Sequence, residues 1–306
     1  MDLDFNWIYN DLYDANNNKF NNKFNVALKY FCKEDYNKSI PLLKKCDTAN
    51  AHGLLAVYYC DKNSDLMMKY VNLAPDNSYS KLALAEYYLS KDRKLSTKYY
   101  KESIQLGNCI AMNGLGVYHH VISQNYKLMK KYYQMAINKN YKRACHNLGE
   151  YYQFIEPNYK MMKKYYKCSI TYPITILNLG FHYQTVEPNH KLMKKYYDMI
   201  PNNSTAMCNL GIYYHTRNYK LMKKYYLRAI KLKCTKAMFN LAEYYRTIKH
   251  DYKLMKKYYL MAIKLNEPKS MFNLYIHYKQ VELNYKLMTK YYNMYNSIKD
   301  KKNVSI

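Results

Sequence analysis

The stretch NYKLMKKYY at residues 125–133 decides the fold of this 306-residue chain. Similar stretches occupy residues 158–166, 189–197, 218–226, 251–259 and 284–292. The last tyrosines of successive copies are 33, 31, 29, 33 and 33 residues apart. A period of this length is typical of one supersecondary unit that stacks on copies of itself. The sequence therefore predicts a solenoid with one continuous core, and it directs the search for function to surfaces.

A second recurring segment lies between these copies and reads NLGEYY at 147–152, NLGIYY at 209–214 and NLAEYY at 240–245. Each repeat is therefore predicted to contain helix A, which carries NLGxYY, a short turn, and helix B, which carries YKLMKKYY. In helix B, Met129, Tyr133 and Ile137 are spaced i, i+4 and i+8 and form one apolar stripe. Asn125 precedes the first turn and is a predicted N-cap, as are its equivalents in the later copies.

A glycine recurs in helix A, at residues 116, 149, 180 and 211, although glycine disfavours helix formation. Its recurrence predicts that a bulky side chain of helix B, such as Tyr133, packs directly on the backbone there. We therefore expect an all-α protein, an α/α solenoid with a right-handed superhelix of about nine stacked helix-turn-helix repeats of 29–33 residues. The predicted solenoid spans residues 23–299, after an N-terminal cap or disordered segment at 1–22 and before a C-terminal tail at 300–306.

The net charge of +27 has two competing explanations. A basic balance indicates nucleic acid or an anionic surface as a partner. An A/T-rich genome would also enrich Lys, Asn, Tyr and Ile without any selection for binding. The acidic N-terminus does not resemble a secretory signal, and no apolar run is long enough to cross a bilayer. The eight cysteines form no C-x-x-C motif, so we expect reduced thiols in the cytoplasm and no membrane contact.

The repeat resembles a known family in its motif A-x-x-N-L-G-x-x-Y, followed by an Asn- or Asp-Tyr start and a Tyr-Tyr pair. The matching residues of one copy are Ala144, Leu148, Gly149 and Tyr152, then Asn158, Tyr165, Tyr166 and Ile170. This pattern is similar to the Sel-one-like repeat, a short relative of the tetratricopeptide repeat. The resemblance implies that helix A lines a concave groove. The KLMKKYY version is similar to arrays from amoeba-infecting giant viruses, which implies a viral protein in the host cytoplasm.

Two departures from the family pattern affect packing. A methionine, such as Met129, replaces the small residue early in helix B, which predicts wider helix packing. The glycine that usually closes the turn between helices A and B is missing.

One asparagine per repeat precedes the core leucine of helix A, and we call these five residues the asparagine ladder. Aromatic, acidic or aliphatic residues follow three and four positions later, on a face predicted to point away from the core. There the amides can pair with the backbone of a partner peptide; alternatively, each asparagine bonds to a neighbouring helix A or reflects the Asn-rich composition. The predicted groove residues are Asn147, Glu150, Tyr151, Asn178, Phe181, His182, Asn209, Ile212, Tyr213, Asn240, Glu243, Tyr244, Asn273 and His277.

Paired lysines in helix B form the second candidate surface, because they flank core positions and are predicted to face outward. Stacking would align them into a ridge whose fields overlap within a Debye length. The ridge suits RNA, DNA or acidic surfaces, although a solvated helix face is the simpler interpretation. This lysine ridge comprises Lys130, Lys131, Lys163, Lys164, Lys194, Lys195, Lys223, Lys224, Lys256 and Lys257.

No motif in the sequence indicates catalysis, a metal or a cofactor, and the one His-His pair, His119 and His120, lacks further ligands at metal-binding spacing. We therefore expect a monomeric, non-enzymatic, cytoplasmic scaffold whose groove binds a host or viral protein. The alternative is an electrostatic binder of RNA, DNA or acidic surfaces through the lysine ridge.

Overall fold

A computed structural model describes residues 22–32 and 35–303, and within them the regular structure is helical throughout. The predicted segment at 1–22, apart from its last residue, and the end of the predicted tail lie outside this range. The eighteen α-helices of the described residues are α1 (Asn22–Cys32), α2 (Tyr36–Leu43), α3 (Ala49–Tyr59), α4 (Ser64–Leu73), α5 (Ser78–Tyr88), α6 (Arg93–Gln105), α7 (Cys109–Val117), α8 (Tyr126–Asn138), α9 (Lys142–Phe154), α10 (Tyr159–Cys168), α11 (Pro173–Thr185), α12 (His190–Asp198), α13 (Ser204–Tyr214), α14 (Tyr219–Lys231), α15 (Thr235–Thr247), α16 (Tyr252–Ile263), α17 (Pro268–Gln280) and α18 (Tyr285–Asn303).

The odd-numbered helices are helix A and the even-numbered helices are helix B of nine helix-turn-helix pairs, and the two helices of each pair contact each other. The predicted N-caps are confirmed. The side chain of Asn125 accepts a hydrogen bond from the backbone N–H of Leu128 at 3.1 Å. Asn158, Asn189, Asn218, Asp251 and Asn284 make the equivalent bond at 2.9–3.1 Å. These caps start every helix B from α8 onward at the same point of its repeat.

Internal contacts divide the chain into two units, Met1–Ser169 and Ile170–Ile306. Unit 1 contains α1–α10, and unit 2 contains α11–α18. In unit 1, helix A of one repeat packs on helix A of the next, as α3 does on α5. In unit 2, α13 contacts its own helix B, the preceding α12, and the neighbouring A helices α11 and α15. Helix A is therefore covered by several neighbours and has more than one buried face.

In the four hairpins from α7 to α14, the core contains a tyrosine ring of helix B that lies against the backbone of helix A. Tyr133 and Tyr226 are about 1% exposed, and a Cβ built on Gly116 would lie 2.5 Å from Cδ1 of Tyr133. The other glycines of this position are equally close to a ring: Gly149 to Tyr166, Gly180 to Tyr197 and Gly211 to Tyr226. Real side chains do not approach this closely, so the prediction of a ring on the glycine backbone is confirmed.

The last repeat provides an exception that supports this packing rule. Tyr275 occupies the place of the glycine, and the tyrosine that should lie on it, Tyr292, is 45% exposed. The two rings lie with their centroids 5.2 Å apart. In the repeat before it, Ala242 fills the same place and Tyr259 remains fully buried. A small residue in helix A is therefore required for the ring to enter the core.

The turn between helices A and B lacks the glycine that is usual in Sel-one-like repeats. The residue before the N-cap takes a left-handed conformation in three repeats, with φ of +50° at Gln124, +52° at His250 and +49° at Leu283. Proline occupies the same place in two others, at Pro157 and Pro188. Left-handed backbone is unfavourable for a residue with a Cβ. These turns are therefore strained at Gln124, His250 and Leu283.

The prediction that all cysteines are reduced is wrong for one pair. Cys145 in α9 and Cys168 at the end of α10 form a disulfide with their Cα atoms 6.0 Å apart. The bond joins helix A and helix B of one repeat, which the sequence spacing does not indicate. Five other described cysteines form no disulfide, and three of them, Cys46, Cys109 and Cys208, are buried.

Candidate functional site

The asparagine ladder connects successive repeats. All five side chains are half-buried. Asn147 donates to Oδ1 of Asn113 at 2.9 Å, and Asn209 donates to the hydroxyl of Tyr197 at 3.1 Å. Asn273 donates both to Glu243, at 2.7 Å, and to the hydroxyl of Tyr259, at 3.0 Å. Asn240 bonds to Tyr226 in the same way, and Asn178 also has an interaction partner.

The tyrosine hydroxyls of these links remain protonated because they are buried. Burial raises the pKa of Tyr197 to about 12, and the hydrogen bond from Asn209 opposes the rise. Burial likewise raises the pKa of Tyr133, against the bond from Asn147. The Tyr197 hydroxyl in turn donates a hydrogen bond to Oε1 of Gln184 at 2.9 Å. The bonds of Asn209 to Tyr197 and of Asn273 to Tyr259 therefore hold helix B of one repeat against helix A of the next. Asn147 and Asn273 also bond to a neighbouring helix A, as the structural alternative in the sequence analysis describes.

Four of the predicted groove residues are inaccessible. Tyr151, His182, Tyr244 and His277 are 2%, 0%, 6% and 3% exposed, so the exposure expected for them is not found. The reason is that helix A is covered by neighbouring helices on this face as well. The histidines pair with the carboxylates of the following turn: His277 lies 3.0 Å from Glu282, and His182 lies 3.5 Å from Glu187.

The remaining predicted groove residues are accessible to different degrees. Phe181 is 47% exposed, whereas the side chains of Glu150, Ile212, Tyr213 and Glu243 are half-buried. Glu150 lies 3.3 Å from His146, and the hydrogen bond from that imidazole lowers the pKa of the carboxyl despite partial burial. Glu243 is held by Arg246 at 2.7 Å, and Arg217 lies over the ring of Tyr213 at 4.3 Å.

Two pockets lie at equivalent positions of helix A, one in each unit, and we call them the A-end pockets. The unit 2 pocket, of about 480 Å³, lies among α15, α16 and α17 and includes Asn273 of the ladder together with the residues three and four positions later. The unit 1 pocket, of about 400 Å³, includes Ala83 and Glu86 of α5, which occupy the same two places of their repeat as Asn273 and Ile276. The unit 2 pocket is lined by Arg246, Thr247, His250, Tyr252, Asn273, Ile276, His277, Gln280 and Val281.

The lysine ridge divides into two rows with different environments. The first lysine of each pair is half-buried. Lys130 binds Glu156 at 2.9 Å, Lys256 binds Glu282 at 2.6 Å, and Lys194 pairs with Asp198. Lys163 also has a partner, and Lys223 lies over the ring of Tyr219 at 5.8 Å. The second lysines, which are the outward row, are exposed: Lys131, Lys164, Lys195, Lys224 and Lys257.

A further set of exposed lysines was missed from the sequence. Each lies at the second position of helix B, four residues before the outward lysine, so the two share one helix face. The signal was the i, i+4 spacing in YKLMKK. The set comprises Lys127, Lys160, Lys191, Lys220, Lys253 and Lys286.

Within the described residues, no group of three or more His, Cys, Asp or Glu side chains is arranged to hold a metal ion. His119 stacks on Tyr132 with ring centroids 5.6 Å apart, and His120 packs edge-on against Tyr151. The helices of the same residues include none that is both long and apolar enough to cross a membrane.

Solved structures of known proteins show which class of fold the chain has. No protein-family model matches the chain, and no curated protein matches it. Among solved structures, a Sel1 repeat protein from Oxalobacter formigenes matches with a TM-score of 0.61 at 12% identity, over 92% of both chains. A protective antigen of uropathogenic Escherichia coli strains, which displays an SLR fold, matches with a TM-score of 0.57 at 17% identity, over 84% of this chain and 64% of that one. Human IFIT1 in a dimer with m7Gppp-AAAA matches with a TM-score of 0.53 at 13% identity, over 95% of this chain and 81% of that one.

These likenesses define the class of fold, an α-helical repeat solenoid similar to that of Sel1-like repeat proteins. The chain spans about two thirds of the E. coli antigen and nearly all of the Oxalobacter protein. At such low identities the likeness extends to the fold alone. It agrees with the resemblance in the repeat motif.

Proposed function

We propose that the chain is a non-enzymatic scaffold that binds a segment of a partner protein at the A-end pockets. The observation that carries this proposal is the equivalence of the two pockets. Each includes the ladder position of helix A and the residue three positions later, which are the places that the sequence assigned to the groove. A cavity at this place of helix A suits a short extended segment that places one side chain into it, and each unit offers such a cavity by itself.

The chemistry of the unit 2 pocket fits a peptide. Val281 is 50% exposed at its edge, and Ile276 is half-buried, so the pocket offers apolar surface to a side chain. The exposed amide of Gln280 lies beside them and can pair with a peptide backbone. In this proposal the scaffold acts as a monomer in the cytoplasm. Its partner is a host or viral protein, because the repeat sequence resembles arrays of giant viruses.

Selection from a displayed random-peptide library on the immobilised protein, followed by fluorescence polarisation with the selected peptides, tests the proposal. We expect Val281→Asp to weaken peptide binding at least tenfold, because a carboxylate at the pocket edge must be desolvated. Leu265→Asp is the matched control, since Leu265 is 41% exposed in the turn after α16 and does not line the pocket. Peptides that bind both variants as tightly as the original chain would refute the pocket as the binding site.

A further inference from the structure

Unit 2 carries a regular array of exposed lysines at the start of its B helices. Each of α12, α14, α16 and α18 has one lysine at its second position and another four residues later, on the same face. All eight side chains are exposed, and none has an ion-pair partner among the described residues. We call this set the lysine face: Lys191, Lys195, Lys220, Lys224, Lys253, Lys257, Lys286 and Lys290.

The acidic residues of unit 2 do not neutralise this face. Residues 170–306 contain 24 of the 49 Lys and Arg residues of the chain but only 7 of its 22 Asp and Glu residues. Each of the six acidic side chains that the structure describes there is engaged elsewhere. Four pair with a side chain outside the lysine face: Asp198 with Lys194, Glu187 with His182, Glu243 with Arg246 and Glu282 with Lys256. The other two are N-caps, Asp251 for α16 and Glu267 for α17.

The position of the lysines makes the face unfavourable for the isolated protein. Like charges at i and i+4 repel each other on a helix. The first lysine of each pair also lies in the first turn, as Lys220 does after the N-cap Asn218, where the helix dipole disfavours a cation. Both effects recur in four helices of the unit. An anionic ligand lying along the face removes both penalties at once.

Aromatic rings accompany the charges. The residue before the first lysine is a tyrosine in three of the four helices, and each of these rings is at least partly accessible. Tyr219 also stacks on Tyr244 with ring centroids 5.3 Å apart, and the ring of Tyr252 lies 5.0 Å from that of His277. Tyr219, Tyr252 and Tyr285 are 37%, 36% and 79% exposed. Lysine binds phosphate groups as a compact point charge. Proteins that bind single-stranded nucleic acid combine such cations with exposed aromatic rings, on which the bases stack. An acidic peptide has no bases to stack on the rings, and the bases of a duplex are already stacked on each other. The exposed rings therefore favour a single strand.

We infer that the lysine face binds single-stranded nucleic acid, with phosphates on the lysines and unpaired bases on the tyrosines at the helix starts. The eight lysines of this site lie outside the lining of the A-end pockets, although Tyr252 also lines the unit 2 pocket. The inference does not depend on the proposed scaffold function. Recognition through phosphates and ring faces is independent of base sequence.

The test compares two variants with the same loss of charge. The first replaces Lys220, Lys224, Lys253 and Lys257 of the face with Gln. The second replaces Lys231, Lys236, Lys264 and Lys269 with Gln, which are equally exposed but lie at the other end of the B helices or at the start of the next helix A. Binding of a labelled 20-nucleotide oligouridylate is measured by fluorescence anisotropy between about 50 and 200 mM salt, the range over which phosphate contacts are revealed.

We expect the face variant to lose affinity at least thirtyfold at low salt, and the slope of log K against log salt to fall by about 3, near 0.7 per lost phosphate contact. The control variant should lose less than threefold. Equal losses in both variants would show a diffuse effect of net charge and overturn the site. The Val281→Asp variant should bind the strand normally, which separates this result from the fate of the proposed scaffold function.

The class of ligand is tested with three further probes. A 20-base-pair duplex, polyglutamate and inorganic polyphosphate are offered to the original chain and to Tyr285→Leu. We expect the single strand to bind more tightly than the duplex or polyglutamate. We also expect Tyr285→Leu to weaken the strand by threefold or more without affecting polyphosphate. Tighter binding of polyglutamate would assign the face to an acidic protein, and an equal or greater affinity for the duplex would exclude base stacking; either outcome overturns the proposal.

Discussion

Replacing Gly211 with leucine should expel a tyrosine from the core. A Cβ at Gly211 would lie 2.5 Å from Cε1 of Tyr226, so a side chain and the ring cannot share the site. The last repeat shows the outcome of such competition, since Tyr275 stands in the glycine's place and Tyr292 is 45% exposed. We expect Tyr226 of the Gly211→Leu variant to reach a similar exposure.

The expected loss of stability follows from that displacement. Tyr226 is 1% exposed. Exposing somewhat less than half of a ring side chain of about 200 Å² loses roughly 2 kcal/mol at about 25 cal/mol per Å². Loss of the hydrogen bond between Tyr226 and Asn240 adds about 1 kcal/mol. Leucine has a better helix propensity than glycine, which offsets nearly 1 kcal/mol of this loss of stability. The variant should therefore be destabilised by about 2 kcal/mol.

Urea unfolding followed by circular dichroism measures this change, and nitration of tyrosines reports the exposed ring. Lys195→Leu, an exposed position of α12, is the control and should stay within about 0.5 kcal/mol of the original chain. The double variant Gly211→Leu/Tyr226→Ala should be more stable than the sum of its single changes, because leucine then fills the space of the ring. A stable Gly211→Leu protein, or strict additivity in the double variant, would refute the packing argument.

Three further changes test other features. Leu283→Gly should stabilise the protein by about 0.5–1 kcal/mol, because φ at Leu283 is +49° and its side chain is 78% exposed; an unchanged melting temperature would contradict the strain. Asn209→Ala should cost about 0.5–1.5 kcal/mol by removing the bond to Tyr197, and a variant as stable as the parent would argue against the ladder as a structural link. The hydrogen bond from His146 lowers the pKa of Glu150 below its ordinary 4.5, so its contribution to stability is complete above about pH 4.5 and is lost as the pH falls further. Glu150→Gln should therefore be less stable than the parent at pH 6, with the two converging below pH 4 in acid titrations of unfolding.

Local signals in the sequence were sufficient for the helical hairpins. The period, the Asn caps and the recurring glycine each act within one repeat or between its two helices. Met129 and Tyr133 are buried as their spacing predicts, and Asn125 caps α8. The ring on Gly116 also follows from residues of a single hairpin.

The candidate site was less predictable because it depends on contacts between repeats. A single apolar stripe per helix placed His182 and His277 on an outer face. Both are buried, because α11 packs on α12 and α13, and α17 packs on α16 and α18. The lysine pairs appeared equivalent in the sequence, and only the position of carboxylates such as Glu156 and Glu282, in the next repeat, distinguishes the paired row from the free one.

The links between neighbouring repeats also bear on how the chain folds and how it evolves. The bond from Asn273 to Glu243 joins residues 30 positions apart, and that from Lys256 to Glu282 joins residues 26 apart. Contacts of such short range close small loops, so the contact order is low and folding should be fast and able to begin in any hairpin. For the same reason, duplication or deletion of one whole repeat replaces each link with an equivalent one. The length of the array can therefore change in a single genetic step while the fold is retained.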